Sequence, residues 1–425
     1  MNTDYLIIGN SAGGIGAAEA IRSTDTTGSL IIVSEEPYPA YSRPLISEYL
    51  SHERDIEDML YRPADFYKKH SIQLFLGKKA LSIDTHQKTV KMDSGENIHW
   101  KKLLLATGGI PIIPPVKGHD KKGVFSFLSL NDAREIDAFL ARGGVKRAVV
   151  SGGGLIGVSV SQALRARQIH VTIIEMKDRI LNTILDEAAS AIAADSVKRG
   201  GGSIIVNDTV KEISGNASVR EVILNSGEQI QCEMVIMAIG VLPQTELAKS
   251  AGIAVNRGIT VDRYMMTSKP DIYACGDVAE AYDFIIGSNR LTPLWPNAYI
   301  GGRIAGFNMA GAKTEYRGGT AMNSINYFNL SIATAGMVSA PAEENSFETL
   351  TKVNNATYRK VIIHDNRIAG LILVGDIDKS GILFGLMRKN IDVTTFKSAL
   401  LADDFGLAYL PASIRKEQLG ETVIN

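Results

Sequence analysis

The chain has 425 residues, of which 45% are hydrophobic and 21% charged, a composition typical of a globular protein with two or three domains. Its net charge of −1 argues against nucleic acid or an anionic membrane as a partner. We find no apolar run of the roughly 18 residues needed to span a bilayer, and no signal-peptide core, so we expect a cytoplasmic protein without a membrane partner. Its two cysteines, Cys232 and Cys275, cannot form a four-cysteine metal site, and we expect no metal.

The first informative segment is residues 5–14, YLIIGNSAGG, which predicts a buried strand, a glycine-rich turn and the start of a helix. Small residues in such a turn let the backbone approach a pyrophosphate, which then meets the N–H groups and positive dipole end of the helix. The next strand, residues 29–34, ends at Glu35, where an acid can accept both ribose hydroxyls, and Glu36 is the near alternative. The turn residues that we expect at the pyrophosphate are Gly9, Ser11, Gly13 and Gly14.

The same turn also matches G-x-S-x-G, the nucleophile elbow of hydrolases, with Ser11 as the nucleophile. We disfavour this reading because an elbow so near the N-terminus would lack the preceding strand and the oxyanion loop. It would also leave the second glycine motif, described next, without a role.

A second glycine motif follows about 140 residues later, in residues 148–157, AVVSGGGLIG. Its turn contains Gly152, Gly154 and Gly157, and the following strand, residues 170–174, ends at Glu175. An acid here favours NADH because it would repel the extra phosphate of NADPH, although the neighbouring Lys177 and Arg179 could receive that phosphate. Two such units indicate two dinucleotides on one chain, the plan of an enzyme that passes electrons between a nicotinamide and a flavin.

Further along the chain, the pattern predicts an α/β fold with two Rossmann-like dinucleotide-binding domains and a C-terminal α+β domain. The proline-rich residues 110–115, IPIIPP, cannot form a central strand and mark a crossing between domains. We therefore expect a discontinuous flavin domain, a nicotinamide domain and a C-terminal interface or partner domain, with these bounds: residues 1–117 with 244–319, residues 118–243, and residues 320–425. Other predicted elements are strands at 102–108, 233–240, 272–277, 322–337, 358–364 and 367–375, and helices at 13–23, 296–310 and 379–389.

In these segments the chain resembles the two-dinucleotide flavoproteins, the pyridine nucleotide-disulfide oxidoreductase family, which includes glutathione reductase, ferredoxin reductases and NADH oxidases. The motifs that carry the resemblance are GNSAGG at 9–14, LLLATG at 103–108, GGGLIG at 152–157, AIG at 238–240 and YACGD at 273–277. The resemblance implies FAD at the first turn, near Thr107 and Gly108, with Asp277 bonded to its ribityl or phosphate part. It implies NAD at the second turn, with Gly240, and a helix at 296–310 whose N-terminus faces the pyrimidine end of the flavin.

Residues 41–50, YSRPLISEYL, indicate which branch of this family the chain resembles. Thiol-reducing members carry a redox cysteine in this segment, and this chain has none. The segment instead resembles a stretch of the ferredoxin and rubredoxin reductases, which Arg43, Pro44 and Ser47 match. The resemblance implies that Arg43 binds FAD and that Pro44 and Glu48 lie near the flavin. Ferredoxin reductases have a lysine at Glu48 and a glutamate at Ser159, and those two form an ion pair that this chain lacks.

The C-terminal segments 358–376 and 400–411 resemble the end domain of NADH:rubredoxin reductases. They also resemble FAD subunits of anaerobic complexes such as phenylglyoxylate dehydrogenase and tungsten aldehyde oxidoreductase. The resemblance implies an FAD-dependent NADH oxidoreductase that passes electrons between NAD(H) and a rubredoxin- or ferredoxin-like protein, or an iron–sulfur subunit. The alternatives are a stand-alone NADH oxidase, a CoA-disulfide or persulfide reductase, and a non-catalytic module that binds NADH. Both homo- and hetero-oligomers are compatible with this sequence.

Overall fold

The computed structural model describes residues 1–341, 346–354 and 357–418, which divide between two compact units. The first unit contains Met1–Ile113, Ser126–Arg142 and Gly240–Thr320, and the remaining residues form the second. The predicted α/β class is confirmed. Residues 126–142, which we assigned to the nicotinamide domain, belong to the first unit, and the C-terminal segment shares the second unit with the second glycine motif. The division into three domains stays a prediction.

The first unit is built on a seven-stranded sheet whose central strand is Asn2–Ile8. Its residues 5–8 are apolar and buried, as expected for a strand covered on both faces, and it pairs in parallel with its neighbours on either side. Parallel pairing brings the carboxyl ends of the strands to one edge, where the first glycine turn begins. In spatial order the strands are Ile72–Leu76, Leu30–Ser34, Asn2–Ile8, Asn97–Leu105, Thr89–Met92 and Ala80–Asp84, with Ile272–Ala274 also pairing with Asn97–Leu105.

Two smaller sheets and the helices complete the first unit. The predicted crossing forms a two-stranded antiparallel ribbon, Gly109–Pro111 with Val241–Pro243, and is not a central strand. The three-stranded sheet contains Ile259–Thr260, Ala279–Asp283 and Ser288–Leu291. The α-helices are Ala12–Thr24, Ile46–Leu50, Phe66–Lys69, Leu130–Ala141, Glu246–Ser250 and Trp295–Met309, and the 3-10 helices are Arg43–Leu45, Glu57–Met59 and Gly276–Val278.

The second unit repeats the nucleotide-binding plan with a five-stranded sheet whose central strand is Arg147–Ser151. This strand pairs in parallel with His170–Glu175 and Met234–Met237. The full spatial order is Ser203–Val206, His170–Glu175, Arg147–Ser151, Met234–Met237 and Val124–Ser126. A three-stranded sheet contains Val210–Ser214, Glu221–Leu224 and Gln229–Gln231, and the α-helices of this part are Leu155–Ala166 and Glu187–Arg199.

The C-terminal part of the second unit is a five-stranded antiparallel sheet with helices beside it. Its edge strand, Phe347–Asn354, escaped prediction because polar and charged residues dominate FETLTKVN and its side chains are largely exposed. The strands in spatial order are Met322–Tyr327, Leu330–Gly336, Arg367–Val374, Thr357–His364 and Phe347–Asn354. The helical segments are Ser380–Arg388, Lys397–Ala399, Leu407–Tyr409 and Ala412–Gln418. Throughout the described ranges, no helix combines the length and apolarity needed to cross a membrane.

A largely buried ion pair joins this sheet to the helix Glu187–Arg199 within the second unit. The Asp186 carboxylate caps that helix by accepting the Ala189 N–H at 3.1 Å. One of its oxygens also accepts hydrogen bonds from the Tyr358 hydroxyl at 2.6 Å and the Lys360 ammonium at 2.9 Å. Burial raises the pKa of Asp186, but the bonds to Lys360, Tyr358 and Ala189 outweigh it, and the pKa lies below its ordinary 3.8.

We predict that Asp186→Asn lowers the free energy of unfolding by about 2 kcal/mol at pH 7, because asparagine keeps the helix cap but leaves Lys360 uncompensated. A native pKa below the unfolded value contributes stability above pH 3.8, and that contribution disappears as pH falls through the native pKa. Denaturant unfolding from pH 7 down to pH 2 measures the difference between the variant and the wild type. The exposed neighbour Glu187, changed to Gln, is the control, and a difference that did not shrink as the pH fell below 3.8 would contradict the assignment.

Candidate dinucleotide sites

The first glycine turn follows the central strand of the first unit. The Gly9 N–H donates to the Val33 carbonyl at 2.8 Å, and the Ala106 N–H donates to the Ile8 carbonyl at 2.8 Å. Gly9 has a φ of +119°, and a Cβ there would lie 2.1 Å from the Ala106 oxygen. Only glycine therefore fits this corner, where the chain leaves the sheet and enters the helix.

The second glycine turn, in the second unit, has the same two backbone hydrogen bonds to neighbouring strands. The Gly152 N–H donates to the Ile174 carbonyl at 2.8 Å, and the Ala238 N–H donates to the Ser151 carbonyl at 2.8 Å. Gly152 has a φ of +110°, and a Cβ there would lie 2.3 Å from the Ala238 oxygen. The two motifs are thus structural duplicates, each placing a helix N-terminus at the carboxyl edge of a parallel sheet.

The helices that we expect to face a ligand have no side-chain cap. These are Ala12–Thr24, Leu155–Ala166 and Trp295–Met309, and no side chain of the described residues bonds to their first N–H groups as an N-cap. Ser129 caps Leu130–Ala141 and Asp186 caps Glu187–Arg199, whereas Ser380–Arg388, which faces no predicted ligand, also has no side-chain cap. Among the described residues, no atom apart from its chain neighbours lies within 4 Å of a Cβ built on Gly154, the N-cap of the helix Leu155–Ala166. Free N–H groups and open space fit a bound pyrophosphate at these helix ends.

The two acids after the second strand of the first unit have different surroundings. Glu35 is exposed, and its carboxylate accepts a hydrogen bond from the Lys79 ammonium at 2.9 Å. Glu36 is half-buried and accepts hydrogen bonds from the Tyr41 hydroxyl at 2.6 Å and from the Arg43 guanidinium. The Tyr41 oxygen in turn accepts the Leu130 N–H at 2.9 Å. The Glu36 carboxylate is therefore already hydrogen-bonded to Tyr41 and Arg43, whereas the Glu35 carboxylate is more accessible. Glu35 stays our proposed ribose ligand.

Glu175, the corresponding acid of the second unit, is buried and hydrogen-bonds to the backbone of the glycine turn in the same unit. Its carboxylate accepts the Gly153 N–H at 2.7 Å and the Lys177 N–H at 2.8 Å. Each carboxylate oxygen keeps a lone pair that can accept a ribose hydroxyl. Of the two basic residues nearby, Arg179 donates to both carboxylate oxygens of Asp178 at 2.8 Å, and the Lys177 side chain is exposed. This arrangement supports the preference for NADH, which remains a proposal.

Asp277 and Arg43 are electrostatic neighbours in the first unit. Burial raises the pKa of Asp277, and the positive charge of Arg43 offsets part of that rise. Burial also disfavours the charge of Arg43, but Tyr41, Glu36 and Asp277 outweigh that effect and raise its pKa. Arg43 in addition donates to the Leu128 carbonyl at 3.0 Å. The Tyr41–Glu36 contact behind Arg43 was missed from sequence, where the only signal was an aromatic residue two positions before the arginine.

The remaining predicted FAD residues lie at the ends of strands or turns in the first unit. Thr107 donates its hydroxyl to the Gln244 carbonyl at 2.9 Å, and Gly108, with a φ of +69°, accepts the Gln244 N–H at 2.9 Å. Pro44 is exposed in the 3-10 helix Arg43–Leu45. Gly240, predicted for NAD, begins the third segment of the first unit, and its carbonyl accepts the Ile112 N–H at 3.0 Å.

The two positions of the ferredoxin-reductase ion pair have different surroundings in this chain. Glu48 is ion-paired with Arg54, six residues along the chain. Ser159 is half-buried on the helix Leu155–Ala166 of the second unit. Glu48 therefore has a partner of its own, and its position near a flavin stays a prediction.

Both cysteines are buried free thiols. Burial raises the pKa of Cys232 and of Cys275 to about 12, so neither is a thiolate near neutral pH. The Cys275 sulfur packs behind the first turn, 2.8 Å from where a Cβ on Gly13 would lie. Across the described ranges, no group of histidine, cysteine, aspartate and glutamate side chains could hold a metal ion.

Two duplicated turns at parallel sheet edges, each opening an uncapped helix, define a protein that binds two dinucleotides. The chain belongs to the pyridine nucleotide-disulphide oxidoreductase family, which matches residues 3–302, and residues 322–391 match the rubredoxin NAD+ reductase C-terminal domain. The predicted class of enzyme and its cofactors, FAD and NADH, are thereby confirmed, and the chain is an NAD(P)H-dependent flavoprotein oxidoreductase.

Three known proteins show the range of relatives. The nitrite reductase [NAD(P)H] of Bacillus subtilis is 30% identical over 93% of this chain and 48% of its own length. Subunit epsilon of the NADH-dependent phenylglyoxylate dehydrogenase of Aromatoleum evansii is 27% identical over 99% of this chain and 98% of its own. The solved NADH:rubredoxin oxidoreductase of Clostridium acetobutylicum is 27% identical, with a TM-score of 0.76 over 93% of this chain and 98% of that one. This chain thus spans about half of the nitrite reductase and nearly all of the other two.

Proposed function

We propose that this chain passes electrons between NAD(H) and a protein redox partner through FAD, without a redox-active cysteine. The partner would be a rubredoxin- or ferredoxin-like protein, or an iron–sulfur subunit of a larger assembly. The observation that carries this proposal is the state of the thiols: residues 41–50 contain no cysteine, and both cysteines of the chain are buried and protonated. Thiol–disulfide exchange requires an accessible thiolate, so reduction of a disulfide or persulfide lacks its nucleophile.

In this proposal, each glycine turn binds one pyrophosphate through its helix N-terminus, FAD at the first and NADH at the second. Glu35 and Glu175 accept ribose hydroxyls, while Glu36 and Tyr41 hold Arg43 in place near Asp277. Bound FAD supplies the chemistry, since a flavin takes a hydride from NADH and can release its electrons one at a time. The protein's own contribution is to orient both dinucleotides and to keep the thiols out of the reaction.

The C-terminal sheet and helices support a protein acceptor, because residues 322–391 match a domain described from rubredoxin reductases. A one-electron iron–sulfur acceptor would have to bring its own metal, since the described residues offer no metal-binding cluster. The partner can be a separate carrier or a permanently bound subunit, and the chain can also pair with a second copy of itself.

An anaerobic titration of the FAD-loaded protein with NADH tests this proposal. We expect the flavin absorbance to bleach at about one NADH per FAD. Reoxidation should be fast with added rubredoxin and slow with oxygen. Fast reoxidation by oxygen alone would instead indicate an NADH oxidase, and uptake of a second NADH per FAD would reveal another redox centre. Slow bleaching by NADH with a long-lived complex would indicate a non-catalytic module.

We predict that Cys275→Ser retains FAD and keeps NADH-to-acceptor turnover within about twofold of the wild type, because a buried, protonated thiol has no chemical role. Steady-state turnover and FAD content measure this. Cys232→Ser, which removes the other buried thiol, is the matched control. A large loss of turnover in Cys275→Ser with FAD still bound would refute the thiol-free mechanism.

A further inference from the structure

The helix Leu130–Ala141 of the first unit begins with a turn in which one carboxylate accepts four hydrogen bonds. The Asp132 carboxylate accepts the N–H groups of Leu128 at 2.9 Å and Ser129 at 2.7 Å. It also accepts hydrogen bonds from the hydroxyls of Ser126 and Ser129, each at 2.8 Å. The Ser129 hydroxyl in turn accepts the Asp132 N–H at 3.2 Å, which completes a capping box. These bonds fix the backbone of residues 126–132.

The backbone of this turn holds Arg43, the predicted FAD ligand, and its neighbour Tyr41. The Arg43 guanidinium donates to the Leu128 carbonyl at 3.0 Å. The Leu130 N–H donates to the Tyr41 hydroxyl at 2.9 Å. Tyr41 donates that hydroxyl to Glu36, which also accepts a hydrogen bond from Arg43. The capping carboxylate therefore acts on the guanidinium by two routes, one through the Leu128 carbonyl and one through the Leu130 N–H.

The Arg43 guanidinium keeps hydrogen-bonding capacity beyond these contacts. Among the described residues, the bonds to Leu128 and Glu36 engage two of its five N–H groups, and 31% of the side chain is exposed. A guanidinium donates well to phosphate and carboxylate oxygens, but its planar fork must have a fixed orientation to do so. Two protein acceptors set that orientation, and the position of one of them depends on Asp132.

We propose that Asp132 is a positioning residue for FAD, which orients Arg43 through the backbone of residues 128–130. This inference rests on the predicted binding of FAD by Arg43, and so on the proposed assignment of FAD to the first glycine turn. From sequence we assigned residues 126–142 to the nicotinamide domain, and the fold instead includes them in the first unit. The turn at Asp132 thereby becomes part of the FAD-binding apparatus.

The test uses the FAD-loaded full chain with the variants Asp132→Ala, Asp132→Asn, Arg43→Lys and the double variant Asp132→Ala with Arg43→Lys. Flavin fluorescence released on dilution gives the FAD Kd, and ferricyanide reduction at saturating FAD gives the NADH KM. Asp132→Ala removes all four bonds to the carboxylate and should raise the FAD Kd about 3- to 10-fold, with the NADH KM unchanged. Asp132→Asn keeps an acceptor for the backbone N–H groups and should keep the FAD Kd within about twofold of the wild type.

The double variant shows whether Asp132 acts through Arg43. Arg43→Lys keeps the positive charge beside Glu36 but removes the planar fork, so it should raise the FAD Kd at least as much as Asp132→Ala. With the fork gone, adding Asp132→Ala should change the FAD Kd by less than about twofold, while the melting temperature still falls. A residue that only stabilises the helix would show the same effect on the FAD Kd in both backgrounds.

The matched control is Ala138→Gly, at an exposed position of the same helix, because glycine weakens the helix but leaves the bonds of Asp132 in place. We expect both Asp132→Ala and Ala138→Gly to lower the melting temperature, and only Asp132→Ala to raise the FAD Kd. The proposal is overturned if Asp132→Ala leaves that Kd unchanged, if Ala138→Gly raises it equally, or if the effect of Asp132→Ala persists in full beside Arg43→Lys. A wild type that binds FAD but reduces no protein acceptor would refute the proposed function and leave this inference intact.

Discussion

Gly157→Ala is expected to abolish useful NADH binding while leaving FAD in place. A Cβ on Gly157 would lie 1.9 Å from the Gly152 carbonyl oxygen, so the helix Leu155–Ala166 must move away from its turn. Displacing a binding element by about 1 Å can cost about 100-fold, and we expect the NAD+ Kd to rise at least that much. The purified variant should keep the yellow colour of bound FAD, which dithionite but not NADH should bleach.

Gly14→Ala is the counterpart, because a Cβ there would lie 2.0 Å from the Gly9 carbonyl oxygen. The same one-carbon change in the first turn should release FAD from the purified protein. Circular dichroism establishes that each variant is folded, and FAD content with NAD+ calorimetry reports which dinucleotide was lost. If Gly157→Ala lost FAD and kept NAD+ affinity, the assignment of the two dinucleotides to the two turns would be reversed.

Glu175→Gln is expected to reduce the discrimination between NADH and NADPH. The glutamine can still accept one of the two backbone N–H groups that the Glu175 carboxylate now accepts, but the negative charge is gone. Hydrogen bonds to a charged group contribute about 1.5–3 kcal/mol, so kcat/KM for NADH should fall about 10- to 100-fold. The value for NADPH should fall less or rise, because the repulsion of its extra phosphate is removed. Steady-state kinetics with both nucleotides measure the ratio.

The control for this experiment is Glu187→Gln, which removes the same charge from an exposed site in the same unit. It should leave the NADH to NADPH ratio of kcat/KM as in the wild type. Equal changes in both variants would mean that the ratio follows overall charge and not the ribose site. An unchanged ratio in Glu175→Gln would remove Glu175 as the residue that selects NADH.

The parts of the fold that could be predicted are those with local causes. Buried strands such as Asn2–Ile8 and Arg147–Ser151 are short apolar runs, and the turns after them need glycine at Gly9 and Gly152 for a positive φ. Both signals lie within about ten residues of sequence. The edge strand Phe347–Asn354 has no such signal, because an exposed edge carries polar residues. Only pairing with Thr357–His364 makes it a strand.

The sequence by itself determined the two dinucleotide turns, the candidate acids after them and the lack of a cysteine in residues 41–50. The tertiary structure decided which partners those residues have. It hydrogen-bonds Glu36 to Tyr41 and Arg43 and pairs Glu48 with Arg54. It also bonds the Ser196 hydroxyl to the Phe328 carbonyl, 132 positions along the chain. The physical reason is the sequence separation between the residues involved. Glycine turns and apolar strands are specified by residues that are close together in the chain. Hydrogen bonds and ion pairs between distant residues depend on packing that no local pattern encodes.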